Sequence, residues 1–197
     1  MRVILASASP RRKEILERHG LSPAVIPADV DESLPGEVAA CGPEAIVKYL
    51  ARIKAEAVFG RLQKESAGEY EPFLLIAADT IVYRDRVFGK PGDGDEAFAI
   101  LSALRGGAHF VFTGVALIRS DTGGRLDFCE RAKVTFKDYP DEEIWRFIHE
   151  EKPFDKAGSY AIQSSWSRNV SSIEGDIENV IGLPWARLEK ELILFSD

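Results

Sequence analysis

A chain of 197 residues with 45% hydrophobic and 29% charged content has the make-up of a soluble globular protein, one ordinary domain or two small lobes. Its net charge of −7 argues against a broad nucleic-acid-binding face, yet leaves room for a small basic pocket that takes one nucleotide. No apolar run is long enough to span a bilayer, no secretory signal opens the chain, and Cys41 and Cys129 lie far apart without metal-type spacing, as expected of reduced thiols in the cytoplasm.

The first element is a buried strand over 2–6 that runs into a helix over 10–19, ended by Gly20. Ser9 is a good N-cap and Pro10 suits the first helical position. Arg11 and Arg12 then fall in the first turn, where the helix dipole disfavours cations by roughly 0.3–1 kcal/mol. An anion expected at this point would explain the pattern. Backbone N–H groups, hydroxyls such as that of Ser7 and the guanidinium forks would together grip a phosphate. The alternative is two solvated arginines, one paired with Glu14.

A short strand over 24–27 precedes a loop over 28–43 that holds Pro35, Gly36, Gly42 and several acids. Glu32, in Asp29-Val30-Asp31-Glu32, is a candidate oxygen ligand for a divalent cation, or part of an exposed polar loop. Ile46, Leu50, Ile53, Ala57 and Val58 repeat at helical spacing, so 43–60 is an amphipathic helix carrying Lys54. A polar connection over 60–72 follows. Residues 73–78 form a continuous apolar strand of the kind buried on both faces, passing through Asp79-Thr80 into 81–83, with 87–88 pairing back.

Asp79, at the carboxyl end of that apolar run, lies where open α/β sheets place ligands. It is a metal ligand, a general base or the cap of the next turn. Lys90 stands in the tight turn Phe88-Gly89-Lys90-Pro91-Gly92, which aims an ammonium into a cleft or leaves it solvated. A helix over 95–104 comes next. Strands over 109–118 and 125–137 are joined by Asp121-Thr122-Gly123-Gly124, a hairpin signature. Helices over 141–150 and from Pro184 to about 195 complete a mixed α/β fold.

Several patterns exclude other chemistries. Gly92-Asp93-Gly94-Asp95-Glu96-Ala97 fits G-x-G-x-x-A, but it follows a Pro-containing turn instead of a strand, and its acids would repel a pyrophosphate. No Walker-A sequence is present. His19, His109 and His149 lack metal spacing, and Ser159-Tyr160 and Ser164-Ser165 have no partner suggesting a hydrolase triad.

The chain resembles the Maf family of nucleoside triphosphate pyrophosphatases. The stretches that carry the likeness are Leu5-Ala6-Ser7-Ala8-Ser9-Pro10-Arg11-Arg12, Ala78-Asp79-Thr80-Ile81-Val82, Gly89-Lys90-Pro91 and Asp155-Lys156-Ala157-Gly158-Ser159-Tyr160-Ala161-Ile162-Gln163. Asn179-Val180-Ile181-Gly182-Leu183-Pro184 fits the family's final helix start, so the match spans nearly the whole chain in order.

The resemblance implies one Maf-like domain over 1–197, an elongated, inosine-triphosphatase-like α/β fold with a mixed sheet, flanking helices and two lobes around a central cleft. It implies hydrolysis of a nucleoside triphosphate to the monophosphate and pyrophosphate with Mg2+ or Mn2+, as part of nucleotide-pool housecleaning. By position, Asp79 is the catalytic residue and, with Glu32, a metal ligand, while Ser7, Arg12, Lys54 and Lys90 line the phosphate site. Arg11, Thr80 and Gln163 match the branch that hydrolyses dTTP and UTP. The branch acting on 7-methyl-GTP carries Trp, Gln and Glu at those positions and remains the alternative. A division-related binding role, after the family's link to septum inhibition, is a second alternative. A homodimer would be unsurprising.

Departures from the family pattern are Ser164 in place of Gly after Gln163, the bulky Trp166 nearby, Leu104-Arg105-Gly106-Gly107-Ala108-His109 in place of Leu-Ser-Gly-x-x-His, and Lys152 where Glu precedes Pro. The first of these bears on the pocket around the base.

Overall fold

The computed structural model describes residues 1–65 and 71–196, the side chain of Ser196 excepted. The strands are β1 (Arg2–Leu5), β2 (Ala24–Val25), β3 (Phe73–Tyr83), β4 (Val87–Phe88), β5 (Ala108–Arg119), β6 (Arg125–Phe136) and β7 (Val170–Glu174). The helices are α1 (Pro10–Arg18), α2 (Gly36–Ala40), α3 (Pro43–Glu65), α4 (Gly94–Leu104), α5 (Asp141–Glu151), α6 (Ile177–Ile181) and α7 (Trp185–Ser196). All the strands join one mixed sheet in the order β2-β1-β3-β5-β6-β7, with β4 on β3, so the fold is mixed α/β as the sequence implies. The chain divides into two compact units.

The first unit holds Met1–Asp79, Thr113–Glu130 and Gly182–Asp197. Here β1 pairs in parallel with β2 and with β3, Leu5 opposite Val25 on one side and Ile76 on the other. Side chains alternate across a strand, so Phe73, Leu75 and Ala77 of β3 share a face. That face packs with Ile4 and Ala6 against Ala51, Ala55, Val58 and Phe59 of α3. The helix lies very close to β5: a Cβ on Gly114 would sit 2.3 Å from the carbonyl oxygen of Val47. Only glycine permits that approach.

The second unit holds Thr80–Phe112 and Arg131–Ile181. β4 returns antiparallel on the end of β3, Val82 opposite Phe88, and β7 pairs antiparallel with β6, Val134 opposite Ile173. Its core gathers Leu101, Leu104, Phe136, Phe147, Tyr160 and Trp166. The Gly92-Asp93-Gly94-Asp95-Glu96 stretch is a helix start: Asp93 Oδ1 accepts from Glu96 N at 2.9 Å and Glu96 Oε2 accepts from Gly92 N at 2.7 Å. The N-cap at Asp93, the Glu96 bond to the preceding residue and the place of Asp95 in the first turn, at the positive end of the helix dipole, account for the acids that ruled out a dinucleotide site.

Some expectations need correction. The loop over 28–43 contains the five-residue helix α2, too short to print a period on the sequence. The helix over 43–60 runs on to Glu65, taking up the start of the expected polar connection, of which 66–70 lie outside the described residues. Asp79 is not at a strand's end: β3 runs unbroken to Tyr83, which removes the turn-cap alternative. Ser9 occupies the N-cap position of α1, but its side chain makes no cap; its N–H is instead held by Ser7 Oγ at 3.2 Å. Strand β7, helix α6 and three 3-10 turns between 153 and 169 are additions to the predicted elements.

Candidate active site

The period-two alternation that buries Phe73, Leu75 and Ala77 carries Asp79 to the same face of β3, toward α3. On α3, Lys54 falls on the ridge shared by Ala51 and Val58, three and four residues away. The two charges therefore meet where the apolar interface ends. Lys54 Nζ lies 2.5 Å from Asp79 Oδ1 and 3.0 Å from Glu32 Oε1. The Lys54 and Asp79 side chains are each only 12% exposed, whereas that of Glu32 is 51% exposed. Glu32 rides on a loop stiffened by its neighbours: Asp31 Oδ1 accepts from Ser33 N at 2.9 Å and from Ser33 Oγ at 2.6 Å. Those two bonds hold the Asp31 carboxyl below its ordinary pKa.

Arg12 joins the same cluster from α1. Its Nη1 donates to Ser7 Oγ at 3.0 Å and its Nε donates to the Gly182 carbonyl at 2.9 Å. Burial lowers the Arg12 pKa from its ordinary value; Asp79 raises it, Arg11 lowers it and Glu32 raises it. Those electrostatic neighbours tie Arg12 to the two carboxylates. The first turn of α1 carries no acidic residue, so helix dipole, Arg11 and Arg12 add up to a positive corner, offset at Arg12 by Asp79 and Glu32. The first unit thus brings together Ser7, Arg12, Glu32, Lys54 and Asp79. Sequence reasoning missed the Gly182 carbonyl as an anchor for Arg12, although Gly182-Leu183-Pro184 was already marked as a helix start.

Arg11, half-buried, also belongs to the first unit, and the other expected residues belong to the second. Thr80 is half-buried, next to Asp79 on β3, and Lys90 and Gln163 are exposed. Gly158 N donates to the Gly89 carbonyl at 3.0 Å, so the Gly89-Lys90-Pro91 and Lys156-Ala157-Gly158 segments lie backbone to backbone. Gly158 has φ +70°, and a Cβ there would meet Val82 Cγ2 at 2.6 Å, which requires glycine twice over. Lys156 Nζ is 2.6 Å from Asp155 Oδ1.

The departures from the family pattern find local explanations here. Ser164 has an ordinary extended φ of −94° and caps a 3-10 turn, its Oγ accepting from Trp166 N. Trp166 is fully buried in the core against Phe147 and Tyr139. Arg105 pairs with Asp141 and covers the Tyr139 ring at 5.5 Å. Lys152 takes a left-handed φ of +45° where α5 stops.

A family model described as "Maf-like protein" matches residues 2–195. The chain belongs to the Maf family. Among Maf relatives, a dTTP/UTP pyrophosphatase of Caldicellulosiruptor bescii is 44% identical over 188 residues, spanning 95% of this chain and 91% of that one. A dTTP/UTP pyrophosphatase of Alkaliphilus oremlandii is 45% identical over 186 residues, spanning 94% and 92%. One from Bacillus cereus ATCC 14579 is 42% identical over 196 residues, spanning 99% and 96%. A crystal structure of a nucleoside-triphosphatase / dITP/XTP pyrophosphatase from Mycobacterium abscessus covers 71% of this Maf chain and 76% of its own at 17% identity, with a TM-score of 0.42, too distant to inform the site.

Proposed function

We propose that this Maf chain hydrolyses dTTP and UTP to the nucleoside monophosphate and pyrophosphate, clearing pyrimidine triphosphates in the cytoplasm. Relatives at 42–45% identity over nearly the full length carry the dTTP/UTP pyrophosphatase name. The observation that carries the chemistry is the Lys54 ammonium with Asp79 on one side and Glu32 on the other, beside Arg12. Residues 1–197 act as one pyrophosphatase domain.

The donor set suits a divalent cation. Mg2+ is commonly held by one or two carboxylates together with substrate phosphate oxygens. Among the described residues no group of three or more His, Cys, Asp or Glu is arranged to hold a metal alone. Asp79 and Glu32 would hold Mg2+ or Mn2+, and the triphosphate would complete the set. When bound, the ion polarises the phosphoryl oxygens.

The chain's own residues do the rest. Arg12, Ser7 and Lys90 bind and orient the triphosphate through charge-assisted hydrogen bonds. Water attacks the α-phosphorus, the α–β bridging bond breaks, and pyrophosphate leaves. Asp79 takes the proton from that water, and Lys54 orients the Asp79 carboxylate for it. Arg11, Thr80 and Gln163 select the base; the Gln163 amide matches the carbonyl and imide edge of a pyrimidine.

Incubation with dTTP or UTP and Mg2+ or Mn2+ yields the monophosphate and pyrophosphate as first products. Orthophosphate as the first product overturns the reaction assignment.

A further inference from the structure

The turn that carries Gln163 is pinned at both ends by buried rings. On one side Tyr160, 6% exposed, has its hydroxyl 2.7 Å from Nε2 of His109, which is 0% exposed. On the other, the Trp166 indole lies 4.7 Å from the Phe147 ring and 4.8 Å from the Tyr139 ring, centroid to centroid. Between them Ser164 closes the turn on Ala161, its Oγ donating to the Ala161 carbonyl at 2.7 Å and its N–H at 3.1 Å. Gln163 itself is exposed, so no apolar packing places it. Its position follows from the anchors on either side.

The chain entering this turn is strained. Gly158 has φ +70°, and Ser159, which is not glycine, has φ +61°. The Ser159 hydroxyl is buried without a partner among the described residues. A left-handed non-glycine backbone and an unmet buried hydroxyl persist only where surrounding structure over-determines them. The next residue along is Tyr160, and the polar contact on its ring is His109.

His109 has no other evident task. Its ring meets Phe136 and Tyr160 edge-on, at centroid distances of 4.7 Å and 5.5 Å. Its Nδ1 is buried without a partner among the described residues. As core filling alone, an apolar ring would cost less than an imidazole with an unmet nitrogen. We infer that His109 is a positioning residue for base selection: through its hydrogen bond to Tyr160 it fixes the turn that presents Gln163 to the imide edge of a pyrimidine triphosphate. The inference rests on the proposed role of Gln163 in dTTP and UTP hydrolysis.

The test compares kcat/KM for UTP and for CTP, which lacks the imide, in the wild type, Gln163→Ala, Tyr160→Phe and the double variant. Tyr160→Phe removes one oxygen and keeps the ring, so the fold is retained. It should lower the UTP:CTP ratio about fivefold or more, chiefly through KM for UTP, as loss of a matched hydrogen bond does. It should add little to Gln163→Ala in the double variant, because both act on one contact. His109→Leu should reproduce the loss, and His109→Gln, whose amide can meet the phenol, should restore part of it. Should Gln163→Ala collapse the ratio while Tyr160→Phe and His109→Leu leave it intact, His109 is core filling and the inference fails. Should Gln163→Ala itself leave the ratio unchanged, the role of Gln163 fails, and the inference with it.

Discussion

Lys54 Nζ stands 2.5 Å from Asp79 Oδ1, linking α3 to the charged end of the strand face that α3 covers. Both side chains are largely withdrawn from water, so neither charge is well solvated without the other. Replacing Lys54 with Met keeps the stem and removes the ammonium. The expected loss of stability is about 1.5–3 kcal/mol, the range for a hydrogen bond to a charged group, read from urea unfolding. Turnover should fall about 10²-fold or more, because Asp79 is no longer oriented.

Glu32 gives the opposite balance. Its side chain is half in water, and exposed ion pairs contribute roughly 0–1 kcal/mol. Glu32→Gln should therefore unfold within about 1 kcal/mol of the wild type. If Glu32 holds the cation, the Mg2+ concentration for half-maximal activity should rise about tenfold or more. A Mg2+ titration of the initial rate decides it, and chelation by EDTA should abolish the activity of both proteins.

The close approach of α3 to β5 predicts opposite outcomes at two glycines. Gly114→Ala drives a methyl into the Val47 carbonyl at 2.3 Å and should destabilise by at least about 1–3 kcal/mol. Because Lys54 lies two turns along from Val47, the activity should drop as well. Gly60 is within the same helix with open space at its Cβ position, so Gly60→Ala should stabilise by roughly 0.5–1 kcal/mol. Thermal unfolding of both variants is the measurement.

Burial first, then the positive charge of Arg84, pushes the His109 pKa from 6.5 down to about 4. The unfolded chain then binds more protons than the folded one between those values. Stability from this group is complete above pH 6.5 and is lost as pH falls toward 4. The loss should reach about 3 kcal/mol, and His109→Gln should flatten that part of the profile. Denaturant unfolding at stepped pH, wild type against variant, isolates it from the carboxylates.

Much of the fold was legible because it is written in local patterns. The 73–78 run, the 46-50-53 spacing and the turn over 121–124 announce β3, α3 and the β5–β6 hairpin directly. Strand β7 does not announce itself: Val-Ser-Ser-Ile-Glu is half exposed at a sheet edge, and its partner on β6 lies some forty residues earlier. The charge cluster was legible only as separate candidates. Nothing in the sequence puts Lys54 against Asp79; that needs the face of α3 and the alternation of β3 together. Ser164 and Trp166 read as disturbances to a pocket, since a sequence does not distinguish a bulky side chain facing the core from one facing a ligand. The anchoring of Arg12 by the Gly182 carbonyl was hidden for a similar reason, because a main-chain acceptor leaves no side-chain signature.

The most direct measurement is the rate and product of UTP hydrolysis by Asp79→Asn with saturating Mg2+. The substitution keeps the size of the side chain and removes the charge proposed to take the proton and hold the cation. The wild type should release pyrophosphate and UMP, and a folded Asp79→Asn protein should turn over at least about 10²-fold more slowly with the same products. A folded variant that works at near the wild-type rate would contradict the assignment of Asp79 as the catalytic residue.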